Sequence, residues 1–452
     1  MDCTDRHVLI AGLARSGVAA AKALARRGAR VAVCDAKSAE QLQEAIALLP
    51  EGVVLYTGQM PDFSQNHFDL AVISPGVPID SLIVTALKQH DVPVIGELEL
   101  AYRLKKASVG IIAITGTNGK TTTTALVEDV LKRSGMATVA AGNIGHPLVA
   151  AIEEIDAGII ACEVSSFQLE TTDQFHPIAS AIINITPDHL DRHKTIEGYA
   201  ETKMKVFRRQ NPGEYTVLNA DDPWLAKANP VCGVLRFSTN RPLEDGIWVE
   251  NGMICAKIND VREEICPRNR VRLRGKHNLE NVMCAIGLTR SVGIPAAIIR
   301  ESLEQFGGVR HRMEEVRVLD DVLYVNDSKG TNPDSTIKAL ESYEAPVVLI
   351  AGGRSKGADF TELMSVVVQQ GVKAMVLVGE ARSIIRNKAE EAGFPAFHEA
   401  ETFEEAVALA RDLSSPGDVV LLSPACASWD MFKNFEERGD LFCDIVRSFK
   451  GR

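Results

Sequence analysis

Short runs of Val, Ile, Leu and Ala recur along the chain, each stopping at a polar turn of Gly, Ser, Thr, Asn or Asp. Most of these turns lead into segments whose apolar residues fall at helical spacing. That alternation reads as parallel strands joined by helices, an α/β fold. Strands are expected over 7–10, 29–34, 70–73, 111–114, 137–141, 158–164, 179–185, 322–326, 346–351, 374–379 and 418–422. Helices are expected over 97–106, 125–134 and 199–209, with another closing at Ser291. Shorter runs at 215–218, 247–250, 253–258 and 271–273 suggest a small, less regular β layer. The pattern restarts after a linker near Gly96 and again after Gly307-Gly308. Three α/β domains follow, over 1–96, 97–308 and 309–452: a Rossmann-like domain, a central domain with a mainly parallel sheet plus the β layer, and a second Rossmann-like domain.

The central domain carries the sharpest chemistry. The apolar run at 111–114 enters Thr115-Gly116-Thr117-Asn118-Gly119-Lys120-Thr121-Thr122 and then a helix. Glycines at such a turn let backbone N–H groups converge on a phosphate at the positive end of the helix dipole. Lys120 would reach the outer phosphates and the Thr121 hydroxyl would sit on Mg²⁺. The full phosphate-loop pattern has Gly where this chain has Ile114. Glu163, at the end of the next strand, is the natural carboxylate for a metal. Asp188-His189-Leu190-Asp191-Arg192-His193 has histidines four apart, which also admits a zinc reading. His189 alone aimed at the phosphate site is the simpler one. Lys203, with Lys205 and Arg208 nearby, reads from sequence as a solvated basic face. Asp327 and Lys329, on the turn after a strand, are placed to bind ribose or phosphate.

The N-terminal βαβ unit carries Gly12-x-Ala14-x-x-Gly17 and then Asp35 at the end of the second strand. This is dinucleotide-fold grammar with Ala in place of the middle Gly, so an NAD-dependent oxidoreductase is one reading. Ser74-Pro75-Gly76 is a rigid turn at a strand's carboxyl end, where open α/β sheets bind ligands.

Composition narrows the classes. Hydrophobic residues make up 46% of the 452-residue chain, enough apolar material for several cores. A net charge of −11 argues against nucleic acid or an anionic membrane as partner. Nine cysteines without CxxC pairing suit reduced thiols. With no signal-like start and no membrane-length apolar run, a cytoplasmic protein is expected.

Taken together, the motifs resemble the Mur ligase family over essentially the whole chain. Gly116–Thr121 marks the wider family, which includes folylpolyglutamate synthetase. Glu163-Val164-Ser165-Ser166-Phe167-Gln168, Asp188–Arg192, Asn326-Asp327-Ser328-Lys329-Gly330-Thr331-Asn332 and Leu422-Ser423-Pro424-Ala425-Cys426-Ala427-Ser428 are more specific. The resemblance implies an ATP-dependent amide ligase of peptidoglycan precursor synthesis. It would add D-glutamate to UDP-N-acetylmuramoyl-L-alanine through an acyl phosphate, as a monomer acting on small molecules. By that resemblance the N-terminal domain holds UDP rather than NAD, with Arg15, Ser16, Asp35, Ser74, Gly76, Asn143 and Ser165 on the nucleotide-sugar. Gly116, Thr117, Asn118, Gly119, Lys120, Thr121 and Thr122 would hold ATP, joined by Asn278, Asn281, Arg312, Asp327 and Lys329. Two Mg²⁺ ions are implied, with Thr121, Glu163, His189 and a carbamylated Lys203 as ligands. Lys120, His189, Lys203 and Lys329 would serve catalysis, and Thr331, Lys356, Ser423 and Phe432 would hold D-glutamate. The nearest rival within the class is a ligase for another amino acid.

Overall fold

The computed structural model describes residues 1–451 except Ile144 and Lys356, with the Asp191 side chain also outside the description. Among the described residues the strands form three sheets. In the first, β1 (His7–Ala11), β2 (Arg30–Asp35), β3 (Val54–Thr57), β4 (Leu70–Ile73) and β5 (Val94–Gly96) are all parallel, in the order β3-β2-β1-β4-β5. The order reverses between β1 and β4, and a crevice opens there at the carboxyl ends of the strands. β1 is buried along Val8–Ala11, as expected for a strand covered on both faces.

The second sheet contains β6 (Val109–Thr115), β7 (Thr138–Gly142), β8 (Gly158–Glu163), β9 (Ala179–Ile182), β10 (Tyr215–Asn219), β11 (Gly233–Ser238), β12 (Gly246–Glu250), β13 (Met253–Ile258) and β14 (Val261–Pro267). They are ordered β14-β13-β12-β11-β10-β9-β6-β8-β7, antiparallel only at the β12–β13–β14 end. The small β layer is therefore an extension of the parallel sheet, and residues 271–273 stay outside any strand. The helix after the phosphate turn runs Lys120–Arg133, beginning at the lysine itself rather than at Ala125. Its four successive threonines are buried, so β-branched residues sit in the first turns of a helix packed beneath the sheet edge.

These two sheets, with residues 280–305, make one compact unit. The other unit comprises residues 272–279 and 306–452. Its sheet is ordered β15 (Glu314–Leu319), β16 (Val322–Asn326), β20 (Val419–Leu422), β17 (Val347–Gly352), β18 (Ala374–Val378) and β19 (Phe397–Glu399), parallel apart from the β15 edge. Apolar side chains on both faces, Val325 and Leu349 on one and Val348 and Val420 on the other, bury the sheet between helical layers. All nine cysteines are buried free thiols. Among the described residues, no helix is long and apolar enough to cross a membrane.

Candidate active site

β6 lies between β9 and β8 and runs parallel to both, so the phosphate turn, Glu163 and the segment after β9 emerge together at the carboxyl ends of three adjacent strands. Gly119, the N-cap of the helix that follows, has φ +84°, and a Cβ there would collide with the Asn281 side-chain oxygen. This position demands glycine on both counts. Asn184 braces the loop: its carbonyl accepts from Thr117 N–H (3.0 Å) and its side-chain oxygen from Asn118 N–H (2.9 Å). The Thr117 hydroxyl donates to Thr186 O (3.1 Å) and accepts from Thr186 N–H (3.0 Å). Lys120 curls over the turn, donating to Gly116 O (2.9 Å) and Thr117 O (2.6 Å). Asn184 was not among the residues picked out from the sequence; its signal is a lone amide in the apolar stretch Ala-Ile-Ile-Asn-Ile.

Lys203 does not lie on a solvated face. It is 1% exposed, donates to Gly116 O (2.8 Å), and lies 4.5 Å from the Tyr199 ring centroid. Burial first, and the positive charge of Lys120 second, push its pKa well below the usual lysine range, with Asp188 and Glu163 opposing. Glu163 is 2% exposed; one oxygen accepts from Asn143 Nδ2 (2.8 Å) and the other, Oε2, is buried without a partner among the described residues. A dry, orphaned carboxylate oxygen is the donor a hard cation such as Mg²⁺ takes. The buried Thr121 hydroxyl begins the same helix as Lys120. His189 is half-exposed at φ +52°, 3.4 Å from Asp188 and against the Phe167 ring at 4.8 Å. His193 turns away from any shared ligand position, toward Ser166 Oγ (3.0 Å) and Glu170 (3.6 Å).

A second cleft of about 660 Å³ opens at the β1/β4 crevice. Arg15, Ser16, Asp35, Ser74, Gly76 and Asn143 all line it, together with Gln168 and Lys37. Asp35 accepts from Leu13 N–H (2.8 Å) and Lys37 N–H (3.0 Å), fixing the mouth of the turn. Gly17 packs so close that a Cβ would strike Gly12 O. Ser165 stands apart from these lining residues: it caps the helix Ser166–Glu170 through a capping box with Gln168. Asn143 joins the two sites, since it lines the cleft and donates to Glu163.

In the other unit, β16 and β20 are neighbours, so their carboxyl ends bring Asp327 beside Ser423. The Ser423 hydroxyl donates to Asp327 Oδ2 (2.7 Å), and burial raises the Asp327 pKa to about 6 against the pull of Ser423 and Arg312. Ser423 is wholly buried, and Phe432 packs edge-on against Phe403 in the core. Lys329 lies 5.5 Å from the Phe435 ring and donates its N–H to His311 O (3.0 Å). Thr331 N–H bonds Lys329 O (2.9 Å) and Asn278 Nδ2 donates to Arg274 O (2.7 Å). Lys356 lies outside the described residues.

A phosphate loop with a buried acid, joined through Asn143 to a cleft at the β1/β4 crevice, suits an enzyme that uses a nucleoside triphosphate on a second bound substrate. The chain belongs to the Mur ligase family, matching a MurD-like N-terminal domain over 6–96, the Mur ligase middle domain over 114–289 and the glutamate ligase domain over 311–426. It is an ATP-dependent ligase, and its family uses ATP and Mg²⁺. It is similar to the UDP-N-acetylmuramoylalanine–D-glutamate ligase of Pelotomaculum thermopropionicum (48% identical, covering 99% of each chain) and to that of Clostridioides difficile (43%, covering all of each). Among solved structures it resembles UDP-N-acetylmuramate-alanine ligase MurC from Thermotoga maritima (TM-score 0.61, 19% identity, 98% of this chain and 100% of that one). Thermotoga maritima MurF ligase in complex with ADP has TM-score 0.60 at 17% identity, covering 98% and 96%. These two likenesses describe the fold.

Proposed function

We propose that this chain joins D-glutamate to UDP-N-acetylmuramoyl-L-alanine with ATP, releasing ADP and phosphate. The observation that carries the reading is the buried pair at the phosphate loop: Glu163 with an unpartnered oxygen, and Lys203 enclosed against Gly116 O with its pKa pushed well down by burial. The Gly12–Ser16 and Ser74–Gly76 turns hold the nucleotide-sugar in their cleft, with Asn143 relaying its position to Glu163. Mg²⁺, two ions in this reading, would neutralise the meeting of a carboxylate with the γ-phosphate. Thr121, Glu163, His189 and Lys203 would hold them. Lys203 suits this role as a carbamate, because only an unprotonated amine attacks CO₂, the N–C bond forming as a proton leaves nitrogen.

Lys120 stabilises the charge that develops as the substrate carboxylate attacks the γ-phosphate. The acyl phosphate formed is then open to the amine of D-glutamate, and phosphate leaves from the tetrahedral carbon. Gly116–Thr122 and Asn281 take the phosphates and nucleotide; Asn278, Arg312, Asp327 and Lys329 take the rest of ATP. Thr331 and Lys356 take D-glutamate. Ser423, whose hydroxyl also bonds Asp327, and Phe432 complete the D-glutamate pocket in this reading.

The test is phosphate release by purified protein with ATP, Mg²⁺, D-glutamate and UDP-N-acetylmuramoyl-L-alanine, each omitted in turn. Release that requires all four supports the reading. Equal release with L-glutamate or another amino acid refutes the specificity.

A further inference from the structure

Arg192 contacts the frames of both sites without being assigned to either. It lies in the short helix Leu190–His193, whose N-cap is His189. Its guanidinium forks onto Glu170 (Nε to Oε1 3.1 Å, Nη2 to Oε2 2.5 Å). It then reaches the N-terminal domain, donating to Pro75 O (3.1 Å) and Val77 O (3.4 Å). The guanidinium carbon lies 4.2 Å from the Phe167 ring centroid, and His193 stacks on the same ring at 5.7 Å. Arg192 and Glu170 side chains are only 15% and 8% exposed, so solvent screens this pair weakly.

The consequence lies in the turn it grips. A trans peptide points its C=O and N–H in opposite directions. With Pro75 O drawn to Arg192, the Gly76 N–H is turned the other way. The turn closes through Val77 N–H to Ser74 O (2.9 Å), a bond in which the Gly76 N–H has no part. Gly76 lines the cleft, and a Cβ there would meet nothing within 4 Å. Its amide therefore serves as a preset donor to a ligand oxygen.

We propose that Arg192 is a positioning residue: it presets the Ser74–Val77 turn for the nucleotide-sugar and ties that turn to the segment bearing His189. The proposal rests on the ligase reading. Lysine cannot replace it, because a point-charge ammonium cannot fork a carboxylate and span two carbonyls at once.

The test uses the full-length protein with Arg192→Lys and Arg192→Gln. Calorimetry reads binding of UDP-N-acetylmuramoyl-L-alanine without ATP; steady-state kinetics read KM for each substrate and kcat. Both variants are expected to bind the nucleotide-sugar about tenfold more weakly, the scale of a lost charged hydrogen-bond set. The KM for ATP should stay within about twofold, and kcat should fall as the His189 segment loosens. A purely structural arginine would lower thermal stability and move all three KM values together, or none; either pattern overturns the proposal. Should the arginine variants fail to fold, Glu170→Gln removes the anchoring charge at nearly constant shape and should weaken nucleotide-sugar binding in the same direction; unchanged binding there overturns the proposal. Wild-type protein that binds no nucleotide-sugar would instead sink the ligase reading, a result visible before any variant is made.

Discussion

Lys203 Nζ and Lys120 Nζ bond to the same acceptor, the carbonyl oxygen of Gly116, at 2.8 and 2.9 Å. Two charged ammonium groups on one buried oxygen repel, so each disfavours the other's charged form. The cost falls on Lys203: burial, and then the charge of Lys120, push its pKa well below the usual lysine range.

That cost has a measurable sign. The native amine loses its proton at a lower pH than the unfolded chain, whose ordinary value is 10.5. Between the depressed native pKa and 10.5 the unfolded state binds more protons, so stability rises with pH across that window. Replacing the amine by an apolar side chain removes the penalty. Lys203→Met is expected to melt at a higher temperature than wild type at pH 7 in bicarbonate-free buffer, the gap closing as pH approaches 10.5. Ligation should fall by at least ~10²-fold, the loss typical of a missing transition-state group. Thermal scans across pH decide it; a lower melting temperature at pH 7 would mean that the amine is charged and paired.

Glu163→Gln separates metal binding from shape. The amide oxygen can still accept from Asn143, while its NH₂ replaces the unpartnered Oε2. The Mg²⁺ concentration for half-maximal phosphate release is expected to rise at least about tenfold, since a hard cation loses an anionic oxygen. The binding of nucleotide-sugar should change little. Titrating Mg²⁺ against phosphate release checks this, and an unchanged requirement would remove Glu163 from the metal site.

Lys120→Ala takes away the charge that the phosphate turn places at the helix start. A loss of at least ~10² in turnover is expected, by comparison with other lost transition-state donors. Single-turnover kinetics locate the loss in chemistry. Near-normal ligation would refute the assignment.

Strand–turn–helix punctuation carried much of the architecture. Val109–Thr115 and Gly158–Glu163 are apolar along their length because parallel strands are covered on both faces, so they stand out without any tertiary information. The Gly12–Gly17 and Ser74–Gly76 turns were legible for a related reason, since carboxyl ends of strands are where such sheets bind ligands; the full set of seven came from the family resemblance, and six of them line one cavity. Lys203 was misread by residue chemistry alone, because a lysine beside Lys205 and Arg208 looks solvated until the helix is seen to turn inward. Asn184, Glu97 and Arg192 were missed because their roles depend on distant partners. Glu97, for instance, is buried and accepts from Val149 N–H (2.7 Å), and burial raises its pKa to about 7 against the pull of Val149 and Gln168. Nothing in Ile95-Gly96-Glu97-Leu98 announces that partner.

Asp327 provides a pH test within the second unit. Burial lifts its pKa from 3.8 to about 6, so between those values the native state keeps a proton that the unfolded chain has lost. Stability contributed at this site therefore falls as pH rises through that window and stays lowered above it. Asparagine cannot ionise, and its groups fit the same partners. Its oxygen can accept from Met313 N–H, and its NH₂ can donate to Ser423 Oγ, whose own proton then turns to Thr336 Oγ1 at 3.0 Å. Asp327→Asn is accordingly expected to melt above wild type at pH 7.5, with the advantage shrinking below pH 6 and vanishing near pH 4. If Asp327 serves ATP, the same variant should raise the KM for ATP at least about tenfold, as for a lost charged hydrogen bond. A variant less stable than wild type at pH 7.5 would show that the ionised carboxylate is favoured by Arg312 and Ser423 beyond the cost of burying it.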